Sequence, residues 1–574
     1  MKIFAGLLFV FITVFAQAQI VYEFDTIKYS NRMTGNLDSI DIKTAYLPTV
    51  FDGGRTILSP NGLRVRTVVD QIYNPLFQPA FSWKEMRFSA LPHLGFSYSI
   101  GGQGSQFIRA EYNHAVTEKT LLNIDYERNS GLGSIRNAGF NNDRVQLQLQ
   151  RKGQRYSIQV KGAFQSFNTN HPGGIVTDSM IESFGLEFSP VYKENAVSRN
   201  RMAEVSVKNY FNVLKDSTTM LGPVTRHTYH VKNRIYSESD TLFGLYNAVH
   251  IDSFTTRDQY NLNELGNGAG VYFASKRFYI DGILQHHYWD YQNLGSHTDT
   301  HEVDLTSNAF LHLNTLKISN EFNFNLLGRF NSFYERAKLK YTLNRLEVNA
   351  FLRFENNAPS VFQRMYFSNN ADYVMNGVEN QPLLSVGGDA GYSFLQDKIK
   401  ISFLGEFTSL ANPYMFDGTN WVNSTGNYIF SSFGLRSAFK IGVLHFNPTV
   451  VYTTSTDNIL PEIQAYGRLF IKGKLFKEKK LEALVGVDGS YISSYSTRAY
   501  LPHMDTYDWN VITSGFTPMT NLHAFVSLGI SEFRFFVRYE NIGYFWSDQT
   551  NEVLENYPVS QPRLRLGLTW DFFN

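Results

Sequence analysis

Few residues in this chain have the type and spacing to do chemistry. There is no cysteine, which excludes disulfides, thiolate metal sites and cysteine nucleophiles. His286-His287, beside Tyr288-Trp289, could offer imidazole nitrogens to a metal. Histidines mixed with tyrosine and tryptophan at the end of an alternating stretch read better as aromatics of a membrane interface. Gly101-Gly102-Gln103-Gly104 has the composition of a phosphate loop, but no helical pattern follows it, so a hairpin turn is the better reading. No G-x-S-x-G motif supports a hydrolase, and the expectation is a protein that is not an enzyme and needs no metal or cofactor. A net charge of +1 leaves no footprint of nucleic-acid binding.

What remains are charges at alternate positions, and these depend on the elements that carry them. From Arg563 to Phe573 one face reads Leu564, Leu566, Leu568, Trp570, Phe572, and the other Arg563, Arg565, Gly567, Thr569, Asp571. Period-two alternation is the pattern of a strand with one apolar face. It recurs along the chain, for instance at Leu316, Ile318, Asn320, Phe322, Phe324 and at Leu346, Val348, Ala350, Leu352, Phe354. Aromatic residues make up 15% of the chain, which suits strands flanked by interfacial girdles. The fold class expected is all-β: a large transmembrane antiparallel β-barrel of the outer-membrane type, with about 22 strands, between roughly 18 and 26.

The domain organisation follows. Met1-Lys2, an apolar run from Ile3 to Phe15 and Ala16-Gln17-Ala18 make residues 1–18 a signal peptide. Residues 19–91 lack sustained alternation and read as a periplasmic or plug-like segment, and residues 92–574 as the barrel. Connections alternate in length. Gln396-Asp397 and Phe476 to Lys480 are short, whereas 356–381, 409–426, 492–518 and 543–562 are long. Short turns belong on the periplasmic side, so both termini are placed in the periplasm. Residues 213–266 are expected to be the longest extracellular loop. Trp289, Trp421, Trp509 and Trp546 lie in or near extracellular loops; they cap the mouth or bind a ligand, or else belong to an interfacial girdle, the favoured reading.

Inward parity selects the candidate pore-lining residues Arg336, Lys338, Arg345, Glu347, Arg468, Arg534, Arg538, Glu540, Arg563 and Arg565, the last strands forming a basic stripe. Phe351, Phe470, Phe525 and Phe536 share that parity. Either residues 19–91 or 213–266 partly fill the lumen and bury these rings, or a β-bulge slips the parity.

Between Gln71 and Asp143 the chain resembles the start of the putative-porin family of Bacteroidota outer membranes. The resemblance is carried by Trp83-Lys84-Glu85-Met86-Arg87-Phe88, by Leu94-Gly95-Phe96-Ser97-Tyr98-Ser99-Ile100-Gly101-Gly102 and by Tyr126-Glu127-Arg128-Asn129-Ser130-Gly131-Leu132-Gly133. It extends loosely over the mature chain and implies a barrel in the outer membrane of a Gram-negative bacterium, with no functional residues to carry over. The leading expectation is a channel for passive diffusion of small hydrophilic solutes, selective by width and lining charge. The alternatives are a plugged active-uptake barrel with an energising periplasmic partner, and a structural or secretion-associated barrel. Expected partners are outer-membrane lipid, small solutes and, through the C-terminal strand, the barrel-assembly machinery. The oligomeric state stays open.

Overall fold

The computed structural model describes residues 25–26 and 86–573, apart from 178, 217–218, 240–245, 247, 330, 376, 378, 457–459, 477–479, 517, 547–551, 555 and 559–560. The expected signal peptide, and residues 19–91 except 25–26 and 86–91, lie outside the described residues.

Twenty-two antiparallel strands among the described residues close into one barrel. In chain order they are β1 (His93–Gly101), β2 (Gln106–Thr117), β3 (Thr120–Gly131), β4 (Phe140–Arg151), β5 (Tyr156–Asn170), β6 (Val197–Phe211), β7 (Thr219–Glu238) and β8 (Thr256–Ser275). There follow β9 (Phe278–Asn293), β10 (His297–His312), β11 (Leu316–Leu327), β12 (Phe333–Leu343), β13 (Leu346–Asn357), β14 (Gln381–Phe394) and β15 (Ile399–Ala411). The wall is completed by β16 (Asn427–Ile441), β17 (Leu444–Ser455), β18 (Ile463–Leu475), β19 (Leu481–Ile492), β20 (Met519–Ile530), β21 (Phe533–Glu540) and β22 (Arg563–Phe573). Each strand pairs with its sequence neighbours. Closure comes from β22 against β1, in register from His93 opposite Phe573 to Gly101 opposite Arg565. No described helix is long and apolar enough to cross a membrane, so the crossing is made by strands. A closed barrel satisfies its backbone hydrogen bonds internally, the condition for strands in lipid.

The alternation in the sequence becomes a two-faced wall. On β22, Leu564, Leu566 and Trp570 are exposed on the outside while Arg563, Arg565 and Gly567 are buried on the lumen side. At one end the strands are joined tightly, by residues 118–119, 276–277, 344–345, 442–443 and 531–532. Tight hairpins need positive φ, and Asn344 (φ 52), Gly442 (φ 62) and Ser531 (φ 49) supply it. The other end carries the long connections 171–196, 239–255, 358–380, 412–426, 493–518 and 541–562. Gln103 (φ 58) and Gly104 (φ 61) turn the chain from β1 into β2, so the glycine-rich run is a hairpin.

One expectation is corrected here. Residues 213–266 are not a long loop. They hold most of β7 and β8, each of 20 residues, joined by 239–255. These strands were hard to read because their outward positions include Pro223, His227 and Asn233, which break the apolar alternation. Twenty residues at about 3.3 Å rise and about 45° tilt climb roughly 47 Å, well beyond an apolar band of about 25 Å. The projecting part meets water outside and carries buried residues such as Arg234, Tyr236, Tyr260 and Leu262 inside, so the alternation of lipid face and lumen face does not hold there.

The inward aromatics also resolve. The pairings of β18 to β22 run without a register shift, so there is no parity slip. Phe536 sits directly opposite Gly567, Phe351 opposite Gly387, and Phe470 and Phe525 on either side of Gly486. Each of these glycines lacks the Cβ that would collide with a facing ring or its Cβ. Gly567→Val should therefore overpack the wall and destabilise it by about 1–3 kcal/mol. The check is the temperature at which the barrel loses its heat-modifiable gel mobility; an unchanged temperature would show that Phe536 can move aside freely.

Candidate functional site

The candidate pore-lining residues fall into three groups. Arg468, Arg534, Arg538, Glu540, Arg563 and Arg565 converge on the inner face of β18 to β22. Arg563 Nε donates to Glu540 Oε2 at 2.6 Å, and Arg565 Nε donates to Glu540 Oε1 at 2.7 Å. Arg538 donates to Asp488 Oδ1 at 2.6 Å. Arg534 lies 3.5 Å from Glu482, which Lys472 also reaches at 3.1 Å. The Arg468 guanidinium stacks 4.4 Å from the centroid of Phe525. The expected basic stripe is thus a zipper, in which carboxylates from β19 and β21 and an aromatic ring engage the arginines. Pairing is required, because an isolated charge taken out of water costs several kcal/mol.

The second group is on β12 and β13. Arg336 Nε donates to Glu355 Oε1 at 2.7 Å and its guanidinium lies 4.5 Å from the Tyr334 ring centroid. Lys338 is exposed, and Glu347 binds Lys400 at 3.2 Å and Lys340 at 3.5 Å. The third is Arg345 alone. It does not line the wall but sits exposed in the 344–345 turn, because β12 ends at Leu343 and β13 begins only at Leu346.

Burial decides what the zipper can do. Arg538 and Arg565 are 1% exposed and Glu540 is 2% exposed. Side chains lining a water-filled channel would be hydrated; these are not.

The extracellular end is roofed. Connections 358–380, 412–426 and 493–518 meet the upper ends of β8 and β9 in an apolar cluster containing Tyr260, Tyr291, Phe362, Tyr373, Phe416 and Trp421. Within the roof a small sheet joins Trp421–Asn423, Tyr414–Phe416, Thr506–Phe516 and Tyr495–Leu501. Connection 493–518 leaves the wall between β19 and β20 and reaches β7, about half the barrel away. There the lumen-facing Arg234 donates from Nη1 to the carbonyl of His503 at 2.7 Å and from Nη2 to that of Pro502 at 2.8 Å. Beside it, Glu238 accepts from Lys193 at 2.7 Å and from Tyr236 at 2.6 Å, tying in connection 171–196. Asn369 Oδ1 accepts the amides of Ile251 at 3.0 Å and Asp252 at 2.9 Å, joining 358–380 to 239–255. Ile175 and Asn556 link connections 171–196 and 541–562 through a 2.9 Å backbone bond.

Trp421 and Trp509 are buried in the roof, not in an interfacial girdle; Trp289 at the top of β9 donates to Glu302; Trp546 is exposed. The histidine pair splits across the wall. His287 faces the lumen, 2.7 Å from Glu264, while His286 faces outward against His301. Sequence reading missed Arg234, Glu238 and Asn369 as roof anchors. One signal was available: connections 358–380 and 412–426 carry Phe362, Tyr366, Tyr373, Tyr414, Phe416 and Trp421, too many aromatics for solvated loops.

His503 makes the roof sensitive to acid. Burial, with Lys193 and Arg234 nearby, pushes its imidazole well below the ordinary histidine range. The closed roof holds it neutral; a released roof would let it bind a proton near pH 6.5. A depressed folded-state pKa of a base means closure is fully stable above that pH and weakens below it, by up to roughly tenfold per pH unit. Labelling of a site placed in 493–518 on intact cells should therefore accelerate between pH 7.5 and 5. Arg234→Ala should give fast labelling already at pH 7.5. Labelling independent of pH in the unaltered protein would refute the coupling.

The family model described as "Putative porin" matches residues 11–574. The chain belongs to the putative porin family. As a member of that family it is a transport barrel embedded in the outer membrane of a Gram-negative bacterium. No curated protein matches it. Among solved structures, the copper transporter OprC is similar at 8% identity and a TM-score of 0.59, over 86% of this chain and 82% of the other. The ferric enterobactin receptor PfeA of Pseudomonas aeruginosa is similar at 10% identity and 0.57, over 85% and 81%. The FrpB iron transporter of Neisseria meningitidis follows at 8% and 0.56, over 84% and 83%. At such identities the likeness is one of fold.

The expectation of an open diffusion channel is corrected. The barrels this putative porin is similar to are described as metal transporters and siderophore receptors. The charges of its β18 to β22 zipper are buried and its mouth is roofed, so an unobstructed aqueous path is not what the residues build.

Proposed function

We infer that this putative porin is an active-uptake barrel. It admits a solute through the roofed extracellular mouth and releases it inward when an energised periplasmic partner opens the lumen. The observation that carries this reading is the near-complete burial of the lumen-facing zipper around Glu540, under conditions where a porin would expose it. Similarity in fold to barrels described as iron and copper transporters supports it. The roof supplies the closing element on the outside. Movement across the membrane then needs work and no catalysed reaction, and we assign the chain no enzymatic role. Insertion is by the barrel-assembly machinery, with β22 and its Trp570 as the recognised end.

The test needs no knowledge of the solute. Purified full-length protein in a planar bilayer should be electrically silent at moderate voltage. A steady ohmic conductance of the intact protein, without any energy source, would overturn the reading.

A further inference from the structure

The outside of the wall carries one feature that uptake does not use. On β6 the outward positions run Arg199, Arg201, Ala203, Val205, Val207, Asn209, Phe211, from the extracellular end downwards. From Ala203 down this face belongs mostly to the apolar belt, with Val205 and Phe211 exposed. Arg199 and Arg201 stand immediately above it, both exposed. The positions that flank them carry no carboxylate. Arg201 is opposite Ser166 on β5 and Asn233 on β7, and Arg199 is opposite Asn168 and Ile235. Glu204 points to the other face. Asp143, the outward carboxylate one strand beyond Ser166, is engaged by Tyr126 and Arg128. Among the described residues neither the Arg199 nor the Arg201 side chain has a hydrogen bond or ion pair.

Two arginines two residues apart on a strand leave the backbone about 6.6 Å apart on one face. Like charges at that spacing repel, and they do so more strongly at the edge of a low-dielectric layer than in bulk water. Charge on the lipid-facing side of a barrel is tolerated only near the interfaces, and there it is favourable where an anionic head group meets it. Arginine forks match phosphate oxygens in pairs. We propose that Arg199 and Arg201, flanked by Ser166, Asn168 and Asn233, form a binding site for the phosphorylated head group of an outer-leaflet glycolipid. The acyl chains of that lipid would lie along Ala203, Val205 and the exposed Phe164 of β5, which pairs with Ala203.

The experiment is native mass spectrometry of full-length barrel extracted from its outer membrane in mild detergent, counting phosphorylated glycolipid retained per barrel. The unaltered protein should retain it, and Arg199→Gln/Arg201→Gln should retain roughly tenfold less. Both side chains are exposed, so the variant should keep its heat-modifiable mobility. Arg199→Lys/Arg201→Lys should retain more than the glutamine pair, because charge survives. For the unaltered protein reloaded with purified lipid, removing the lipid's phosphates enzymatically should reduce retention to the level of the glutamine pair. Equal retention by the glutamine pair and the unaltered protein would overturn the site. Undiminished retention of dephosphorylated lipid would also overturn it, by showing that acyl packing alone holds the lipid.

Discussion

Removal of residues 563–574 should abolish folded protein in the outer membrane. The reason lies in closure. β22 pairs with β21 from Phe533 opposite Trp570 to Glu540 opposite Arg563, and with β1 along the other edge. Without it, β1 and β21 present open edges to lipid, and each unsatisfied amide or carbonyl there costs several kcal/mol. The truncation also strips Glu540 of Arg563 and Arg565, which bind its two oxygens, and so leaves a buried carboxylate short of partners. Summed along two strand edges, the first loss alone exceeds the roughly 5–15 kcal/mol by which proteins are stable, and the second adds about 3–5 kcal/mol. The check is the fraction of truncated chain found in outer membranes with heat-modifiable mobility. Truncated chain that inserts and shifts like the full-length protein would mean that the barrel can close without β22.

Deletion of residues 19–91 should have the opposite character, a gain of conduction. If that segment obstructs the lumen and is what an energised partner moves, the deleted barrel should pass ions with conductance up to the nanosiemens scale where the full-length protein is silent. Energy-dependent uptake should be lost at the same time. The burial of Arg538, Glu540 and Arg565 motivates the expectation. Once hydrated, the stripe should weakly favour anions, most clearly in dilute salt, since fixed charge is screened over about 10 Å at 0.1 M. A silent deleted barrel, still heat-modifiable, would place the obstruction in the roof.

The sequence by itself determined the membrane-spanning wall. Alternation of period two can be read without tertiary information, because a strand between lipid and lumen sees two solvents on its two faces at every step. The short turns read at Gln396-Asp397 and Phe476 to Lys480 were legible because the demand is local: Gln396 (φ 56), Asp397 (φ 65) and Phe476 (φ 64) supply the positive φ a tight reversal needs. Alternation failed where the two-solvent condition fails, in the projecting ends of β7 and β8, whose outer face meets water and whose inner face packs under the roof. Parity could place Arg538, Arg563 and Arg565 on the inner face, and it could place Phe536 there too. Only the tertiary structure decided what they meet: Glu540 and Asp488 for the arginines, and the bare backbone of Gly567 for the ring. Parity fixes the direction of a side chain and nothing about its partner, which depends on the stagger between strands. The sequence offered the aromatic excess of the roof's connections but not the contacts that hold the roof. Arg234 finds the carbonyls of Pro502 and His503 across 268 and 269 residues of chain, and contacts that distant are set by the circumference of a closed barrel, which no local pattern encodes.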